Sequence, residues 1–383
     1  MHITSNIRNL EKFLTAFPWA GSQQLTEADL IENVAALPDS RAHVWDLVAA
    51  KVVAVGDTVT EDREGHERPL VLSELLIAPL VGRESSLGHS SVLPIEGIVV
   101  GSTIDYVSTG GGLGISPDNP PGKGDPSKVR LLGLLCYADG QVAKAQDFAK
   151  DLPAADTLKP VIIVVGSKSD VGKTTVCIEL LKSLAAAGRQ VGVAKASGTA
   201  QRMEIEELAV HANEGLDTAD AGMPTTYPPS QESDKWAEST HQKSLLALES
   251  NLRALSVANE VILVEFGGDL LSASVPEILE DPGRLNIVAV IMVAESATAA
   301  IGMETKLLKI SPSYASIPYY VAGPTATLRA NRNRVERETR CAGCFDLWSK
   351  NDSRASQNQQ DASTASSQEL TRKLLEHCGL GSV

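Results

Sequence analysis

The sequence predicts an α/β protein: a mostly parallel sheet with helices on both faces, preceded by a smaller α+β or mainly β domain. Two observations predict the sheet. Beyond Pro160, short apolar runs alternate with helix-forming segments, and the first run, VIIVV at 161–165, is the unbroken β-branched type that is buried on both faces. Such alternation implies parallel strands joined by helical crossovers, and ligands of these sheets bind beyond the carboxyl ends of the strands.

The 383 residues exceed what one hydrophobic core usually serves, and the composition changes along the chain. Residues 1–158 carry short apolar runs between turn-rich polar pieces, which predicts an N-terminal domain of unassigned role. Residues 159–348 carry the alternating pattern and form the predicted second domain. Residues 349–383 predict a flexible linker, to about 369, and then a short helix. The Gly- and Pro-rich segment 110–128 predicts an exposed loop, either a hairpin tip or a lid over a ligand.

Each element of the second domain has its own local signal. The strands are short and rich in Val and Ile, the helices are longer and amphipathic, and Gly188 is expected to end the first helix. The predicted strands are 161–165, 191–194, 261–265, 286–293 and 319–322. The first predicted helix begins after Lys173, and three further helices are predicted near 204–213, 241–258 and 295–310.

Composition limits the partners and the compartment. A formal net charge of -14 disfavours nucleic acid as a partner, since that affinity depends on clustered Lys and Arg. Five cysteines at irregular intervals do not form a disulfide framework and favour a reducing cytoplasm. Neither a signal peptide nor an apolar run of roughly 18 to 20 residues is evident, so we expect no membrane association.

The segment GSKSDVGKTT, 166–175, lies directly after a buried strand and directly before a helix, as a phosphate-binding loop requires. Backbone N–H groups at the helix N-terminus would face the phosphates, Lys173 would neutralise β and γ oxygens as a catalytic residue, and Thr174 would offer its hydroxyl to Mg²⁺. The predicted nucleotide contacts are Gly166, Ser169, Asp170, Val171, Gly172, Lys173, Thr174 and Thr175.

The first glycine of this loop comes one residue earlier than in G-x-x-x-x-G-K-[ST], because Ser167 stands where that glycine is usual. The layout resembles G-T-D-T-x-V-G-K-T of dethiobiotin synthetases, and VAKASG, 193–198, is similar to their Y-K-P-V-x-S-G, with Ala196 in place of proline. The resemblance covers about 159–345 and implies a P-loop NTPase of the SIMIBI class. It also implies a substrate-facing catalytic lysine and an adjoining substrate loop, here Lys195 with Ser197, Gly198 and Thr199.

Two acidic positions are candidate Mg²⁺ ligands beside Thr174. The strand VILVE ends in Glu265, which resembles a Walker B acid, and the E-x-G-G that begins there is similar to the E-G-A-G-G of dethiobiotin synthetases. Gly267 would let a substrate approach the backbone. Asp220, in the loop DTADAGMPTTY, is either a metal ligand or a turn-forming aspartate.

Asn331 or Asn333 is expected to read the nucleotide base, as an asparagine after a late strand does in the resembled family. SKND, at 349–352, is similar to the guanine-reading [NT]-K-x-D, but no apolar strand precedes it, which favours ATP over GTP. Cys341-x-x-Cys344 is half of a zinc site, a bridge between two chains through one shared metal, or a pair of structural or incidental thiols.

Three functions fit these features. The first is an ATP- and Mg²⁺-dependent ligase that activates a small carboxylate or carbamate for attack by an amine. The second is an acyltransferase that binds a nucleotide-bearing acyl donor such as acyl-CoA, because KASGTA and DAGMPTTY are similar to the branch of D-glutamate N-acyltransferases, which also carries an added N-terminal domain. The third is a metallocentre-maturation or switch NTPase. Class analogy predicts a homodimer.

Overall fold

The computed structural model describes residues 34–35, 40–61, 65–85, 88–136, 140–229, 234–347 and 356–381. The chain divides into two compact units. The N-terminal unit comprises Met1–Asp151, Gly198–Met203 and Asp217–Ala247, and the P-loop unit comprises Leu152–Ser197, Glu204–Leu216 and Leu248–Val383. The two later segments of the N-terminal unit follow strands of the P-loop unit, and no change in composition marks them in the sequence.

The P-loop unit contains the predicted parallel sheet, and the α/β fold class is confirmed. The strands are β11 Val161–Gly166, β12 Val191–Ser197, β13 Glu214–Leu216, β14 Val261–Phe266, β15 Ile287–Val293 and β16 Tyr319–Ala322. Their order in the sheet is β13-β12-β14-β11-β15-β16, and every neighbouring pair is parallel. The first strand in the chain, β11, therefore lies inside the sheet, between β14 and β15.

The unbroken apolar strands form because helices cover both faces of the sheet, so every residue of β11 and of β14 is buried. The helices are α1 Lys173–Ala186, α2 Arg202–Ala209, α3 Asp234–Leu255, α4 Val275–Ile278, α5 Ala297–Ile310, α6 Arg329–Glu338 and α7 Gln357–His377. Short 3₁₀ helices occur at Ala145–Phe148, Pro312–Ala315 and Pro324–Ala326.

Helix α1 follows the Gly-rich loop and packs on the sheet. Val176, Leu180 and Leu184 recur at helical spacing and are completely buried in the core with the residues of β11. The helix ends where Gly188 takes a φ of 72°, as predicted, since this left-handed conformation is easy only for glycine.

The prediction of a flexible linker up to residue 369 is wrong over the part that the structure describes. Residues 357–369 belong to helix α7, which continues to His377, whereas 348–355 lie outside the described residues. Leu370, Leu374 and Leu375 join the core that contains α1, and the Thr371 hydroxyl donates to Ser183 on α1 at 2.8 Å. The helix is therefore anchored by its second half.

The N-terminal unit is mainly antiparallel. Its strands are β1 Val34–Ala35, β2 Arg41–Ala42, β3 Leu47–Ala54, β4 Val59–Glu61, β5 Glu67–Pro69, β6 Leu75–Pro79, β7 Ile98–Val99, β8 Thr103–Tyr106, β9 Leu113–Gly114 and β10 Lys128–Leu135. One sheet has the order β6-β3-β10-β8-β9, with β1 also paired to β10, and two further pairs join β2 to β7 and β4 to β5. The prediction of an α+β or mainly β domain is therefore confirmed, and the described strands are of the antiparallel kind.

The predicted exposed loop at 110–128 is only partly correct. Residues 110–114 are buried, and β9 lies within them, whereas 117–119 and 121–125 are exposed. Gly110 allows this burial because a Cβ there would stand 1.9 Å from the carbonyl oxygen of Ala200.

Among the described helices, none combines the length and the apolar character needed to cross a membrane.

Candidate functional site

Three neighbouring strands of the parallel sheet deliver the candidate site at their carboxyl ends. Strand β11 ends in the loop 166–172, β12 carries Lys195 and β14 carries Glu265. Lys195 and Glu265 are direct partners in the parallel register of β12 and β14, so their side chains lie on the same side of the sheet. This edge is where open α/β sheets bind their ligands.

The loop depends on two glycines. Gly172 takes a φ of 95° immediately before α1, which turns the chain from the loop into the helix. A Cβ at Gly166 would stand 2.8 Å from Cδ of Lys173, so the absence of a side chain there gives the lysine its path across the loop. A helix N-terminus with free N–H groups behind such a turn is suited to phosphate oxygens.

Lys173 folds back over the loop. Its ammonium group donates to the backbone carbonyl of Lys168 at 3.0 Å and to that of Gly268 at 2.7 Å. The side chain is buried, and burial lowers the pKa of Lys173, an effect that the nearby Glu265 carboxylate opposes. Among the described residues, the ammonium therefore has two neutral carbonyls as hydrogen-bond partners, and a phosphate anion would give it a stronger one.

Glu265 is the shared acceptor of the site. Its Oε1 accepts a hydrogen bond from the Thr174 hydroxyl at 3.0 Å and forms an ion pair with the Lys195 ammonium at 2.9 Å. The Glu265 side chain is only 1% exposed, and that of Lys195 is 11% exposed. The structure thus brings together Thr174, Lys195 and Glu265, three of the residues that the sequence predicted for the site.

A second carboxylate also contacts the Lys195 ammonium. Glu204, in the first turn of α2, lies 2.9 Å from it. Burial alone would lower the pKa of Lys195, but the carboxylates of Glu204 and Glu265 outweigh burial and raise that pKa. Lys195 is therefore a fixed positive charge at the sheet edge.

The second oxygen of Glu265 provides a test for a metal site. Among the described residues, no N–H or O–H group donates to Oε2, which is buried, and an unsatisfied carboxylate oxygen is costly unless a ligand binds it. The neighbouring Cys177 thiol is a weak donor that hydrogen-bonds Glu265, and burial, the Glu265 charge and this hydrogen bond raise the thiol's pKa. Carboxylate and hydroxyl oxygens are the donors that Mg²⁺ accepts, so Glu265 and Thr174 fit a Mg²⁺ ion.

The predicted substrate loop is divided between the two units. The Ser197 hydroxyl donates to the carbonyl of Gly267 at 3.1 Å within the P-loop unit. Gly198 and Thr199 belong to the N-terminal unit, where the Gly198 N–H donates to Thr226 at 2.9 Å and Thr199 pairs with Thr225 in an antiparallel bridge.

Asp220, the other predicted Mg²⁺ ligand, also belongs to the N-terminal unit. Its carboxylate forms an ion pair with Lys150 at 2.6 Å and accepts the N–H of Asp217 at 2.8 Å. Burial and the Asp220 charge raise the pKa of Asp217 to about 8. These partners account for Asp220 as a turn-forming and ion-paired residue, and its role toward a metal stays a prediction.

Two further candidates remain predictions. Asn331 lies half-buried in the first turn of α6, where its backbone N–H bonds to Leu328. Cys341 and Cys344 are free thiols, and burial raises the pKa of Cys344 to about 12. Within the described ranges, no three His, Cys, Asp or Glu side chains are grouped so that they could hold a metal ion.

Sequence reasoning missed two acidic residues beside the site. Glu204 was overlooked because it lies within a predicted helix and not at a strand end. Glu295 follows β15 closely and accepts a hydrogen bond from the hydroxyl of Ser167 in the loop. A search for charged residues just after apolar strands would have found Glu295.

Comparison with known proteins agrees with this geometry. Residues 162–337 match a family model described as the CobQ/CobB/MinD/ParA nucleotide binding domain. The fold, the loop and this match together support a nucleotide-binding P-loop domain in this part of the chain. No curated protein matches the sequence.

Among solved structures, the chain is similar to the 54 kDa signal recognition particle protein of Aeropyrum pernix K1 in complex with GDP. That similarity has 18% sequence identity and a TM-score of 0.33, and it covers 59% of this chain and 50% of the other.

Proposed function

We propose that this chain is an ATP- and Mg²⁺-dependent enzyme of the ligase type, which activates a small carboxylate-bearing substrate by phosphoryl transfer for attack by an amine. The observation that carries the proposal is the second buried lysine. Nucleotide binding alone is served by Lys173 and the loop N–H groups. Lys195 adds a fixed cation on the neighbouring strand, bonded to the same carboxylate as Thr174, where an anionic substrate next to the γ-phosphate would be held.

The chain's own groups have distinct roles in this proposal. Loop N–H groups and Lys173 would hold the β- and γ-phosphates, and Lys195 would hold the substrate carboxylate in line with the γ-phosphorus. Glu265 and Thr174 would hold Mg²⁺, which when bound offsets phosphate charge. Transfer breaks the bond between the γ-phosphorus and the bridging oxygen and forms a bond to the carboxylate oxygen. The resulting acyl phosphate reacts with the amine and releases phosphate.

The test measures phosphate release by the purified chain with ATP, with and without Mg²⁺, across a panel of amino acids and dicarboxylates. We expect release that requires both Mg²⁺ and one class of carboxylate. Lys195→Ala should reduce this substrate-dependent release by about 100-fold or more and should leave ATP binding intact. Lys309→Ala, an exposed lysine on α5, is the matched control and should behave as wild type.

Other results would point to other functions. Release of a free thiol from an acyl-CoA without ATP turnover would indicate an acyltransferase and contradict the proposed ligase. Slow hydrolysis that no carboxylate stimulates would indicate a switch NTPase. If Lys195→Ala kept full substrate-dependent release, the substrate role of Lys195 would be lost and the nucleotide site would stand.

A further inference from the structure

Lys195 lies between two carboxylates that come from different elements. Glu265 approaches it from β14 and Glu204 from the first turn of α2, and both oxygens are 2.9 Å from the ammonium. The two acids differ in burial, because Glu265 is 1% exposed and Glu204 is 35% exposed. The buried acid, Glu265, also accepts a hydrogen bond from Thr174 in the first turn of α1.

Binding of Mg²⁺ to Glu265 would weaken the ion pair between Glu265 and Lys195. A Mg²⁺ ion draws the electron density of a carboxylate toward itself and brings positive charge close to Lys195, which repels the ammonium. Without Glu204, Lys195 would then be a buried cation that has lost its carboxylate partner, a costly arrangement. The contact with Glu204 provides an alternative partner without any movement of α2.

Charge count leads to the same conclusion. Among the described residues, two carboxylates, those of Glu204 and Glu265, form ion pairs with the Lys195 ammonium. Without Glu204, the Lys195 charge would be compensated by Glu265, and Mg²⁺ would have to break that pair.

We propose that Glu204 is a positioning residue that retains Lys195 when Mg²⁺ and nucleotide engage Glu265, so that the lysine stays at the sheet edge and faces the substrate carboxylate. In this proposal, Glu204 acts through Lys195 and not by binding nucleotide or metal. The inference rests on the proposed function, because it takes Glu265 as the Mg²⁺ ligand and Lys195 as the substrate cation.

The experiment is isothermal titration of the full-length chain with a non-hydrolysable ATP analogue at a series of Mg²⁺ concentrations. In Glu204→Gln, Lys195 has only Glu265 as a charged partner, and Mg²⁺ must compete with it. We expect the Mg²⁺ concentration that gives half of the full gain in analogue affinity to rise by about tenfold. Analogue affinity without Mg²⁺ should stay the same, because Glu204 does not contact the phosphates.

Two variants separate positioning from a structural effect. Glu204→Asp keeps the carboxylate and should recover part of the Mg²⁺ response. Glu207→Gln changes an exposed acid on the same helix and should match wild type in Mg²⁺ response. Thermal unfolding of all three variants checks that α2 is retained.

The outcomes distinguish a failure of the positioning role of Glu204 from a failure of the proposed function. If wild type binds the analogue more tightly with Mg²⁺ and Glu204→Gln has the same Mg²⁺ requirement or a lower one, the positioning role is refuted and the proposed function stands. If wild type binds no analogue, or gains nothing from Mg²⁺, the proposed function fails and the positioning role fails with it.

Discussion

Lysines are paired with buried acids in both units, but the pair at the candidate site differs from the others. In the N-terminal unit, Lys128 and Lys144 are 42% and 49% exposed and reach inward to Asp105 and Asp46, which are buried. Lys182 of the P-loop unit, 43% exposed, pairs in the same way with the buried Glu179. At the candidate site the cation is buried too, since Lys195 is 11% exposed beside a Glu265 that is 1% exposed. A half-exposed lysine can cover a buried carboxylate and keep much of its hydration. A buried lysine gives up most of its hydration, which stability alone does not explain.

The ion pairs of half-exposed lysines and the ion pair of the buried lysine therefore have different roles. Lys128 and Asp105 are cross-strand partners in β10 and β8, and this ion pair joins two strands of a sheet. Lys195 and Glu265 are partners at the carboxyl edge of a parallel sheet, beside a phosphate-binding loop. We infer that pairs of the first kind maintain the fold and that those of the second kind are reserved for an anionic ligand.

The largest effect on ATP affinity is expected from Lys173→Ala. The ammonium now lies on two backbone carbonyls and would move to phosphate oxygens on binding, so its loss should weaken ATP binding by about 10- to 100-fold, as for a hydrogen bond to a charged group. Fluorescence titration with a labelled ATP analogue measures this. Unchanged affinity in a folded variant would mean that the loop does not bind phosphate.

A smaller effect, confined to stability, is expected from Lys128→Met in the N-terminal unit. Asp105 would lose its ion pair but would still accept the N–H of Ser116 at 2.8 Å, so the free energy of unfolding should fall by less than about 1 kcal/mol. Chemical denaturation measures the change. A loss of ATP affinity in this variant would show that the contrast between the two kinds of pair is false.

The sequence predicted the parallel sheet well because strands buried on both faces are unbroken apolar runs. It missed β13, Glu214–Leu216, because three residues with a glycine and a glutamate carry no such signal. It also missed the first half of α7. The side chains that this half buries include Ser363 and Ser367, so small polar residues occupy the inward positions and the hydrophobic period does not appear before Leu370.

The candidate site was predictable where it depends on strand ends. The loop, Lys195 and Glu265 all follow from the rule that ligands bind at the carboxyl edge of a parallel sheet. Glu204 was not predictable, since its contact with Lys195 depends on how α2 returns to the sheet. The assignment of Asp217–Ala247 to the N-terminal unit could not be read from the sequence either.

The central claim is that Glu265 and the loop hold Mg²⁺ and nucleotide together, and calorimetric titration of Glu265→Gln with an ATP analogue tests it most directly. Glu280→Gln, an exposed acid in the turn after α4, is the control. Wild type and the control should bind the analogue more tightly when Mg²⁺ is present, and Glu265→Gln should have lost that gain because an amide oxygen carries no charge for the metal. A full Mg²⁺ response in folded Glu265→Gln would contradict the account.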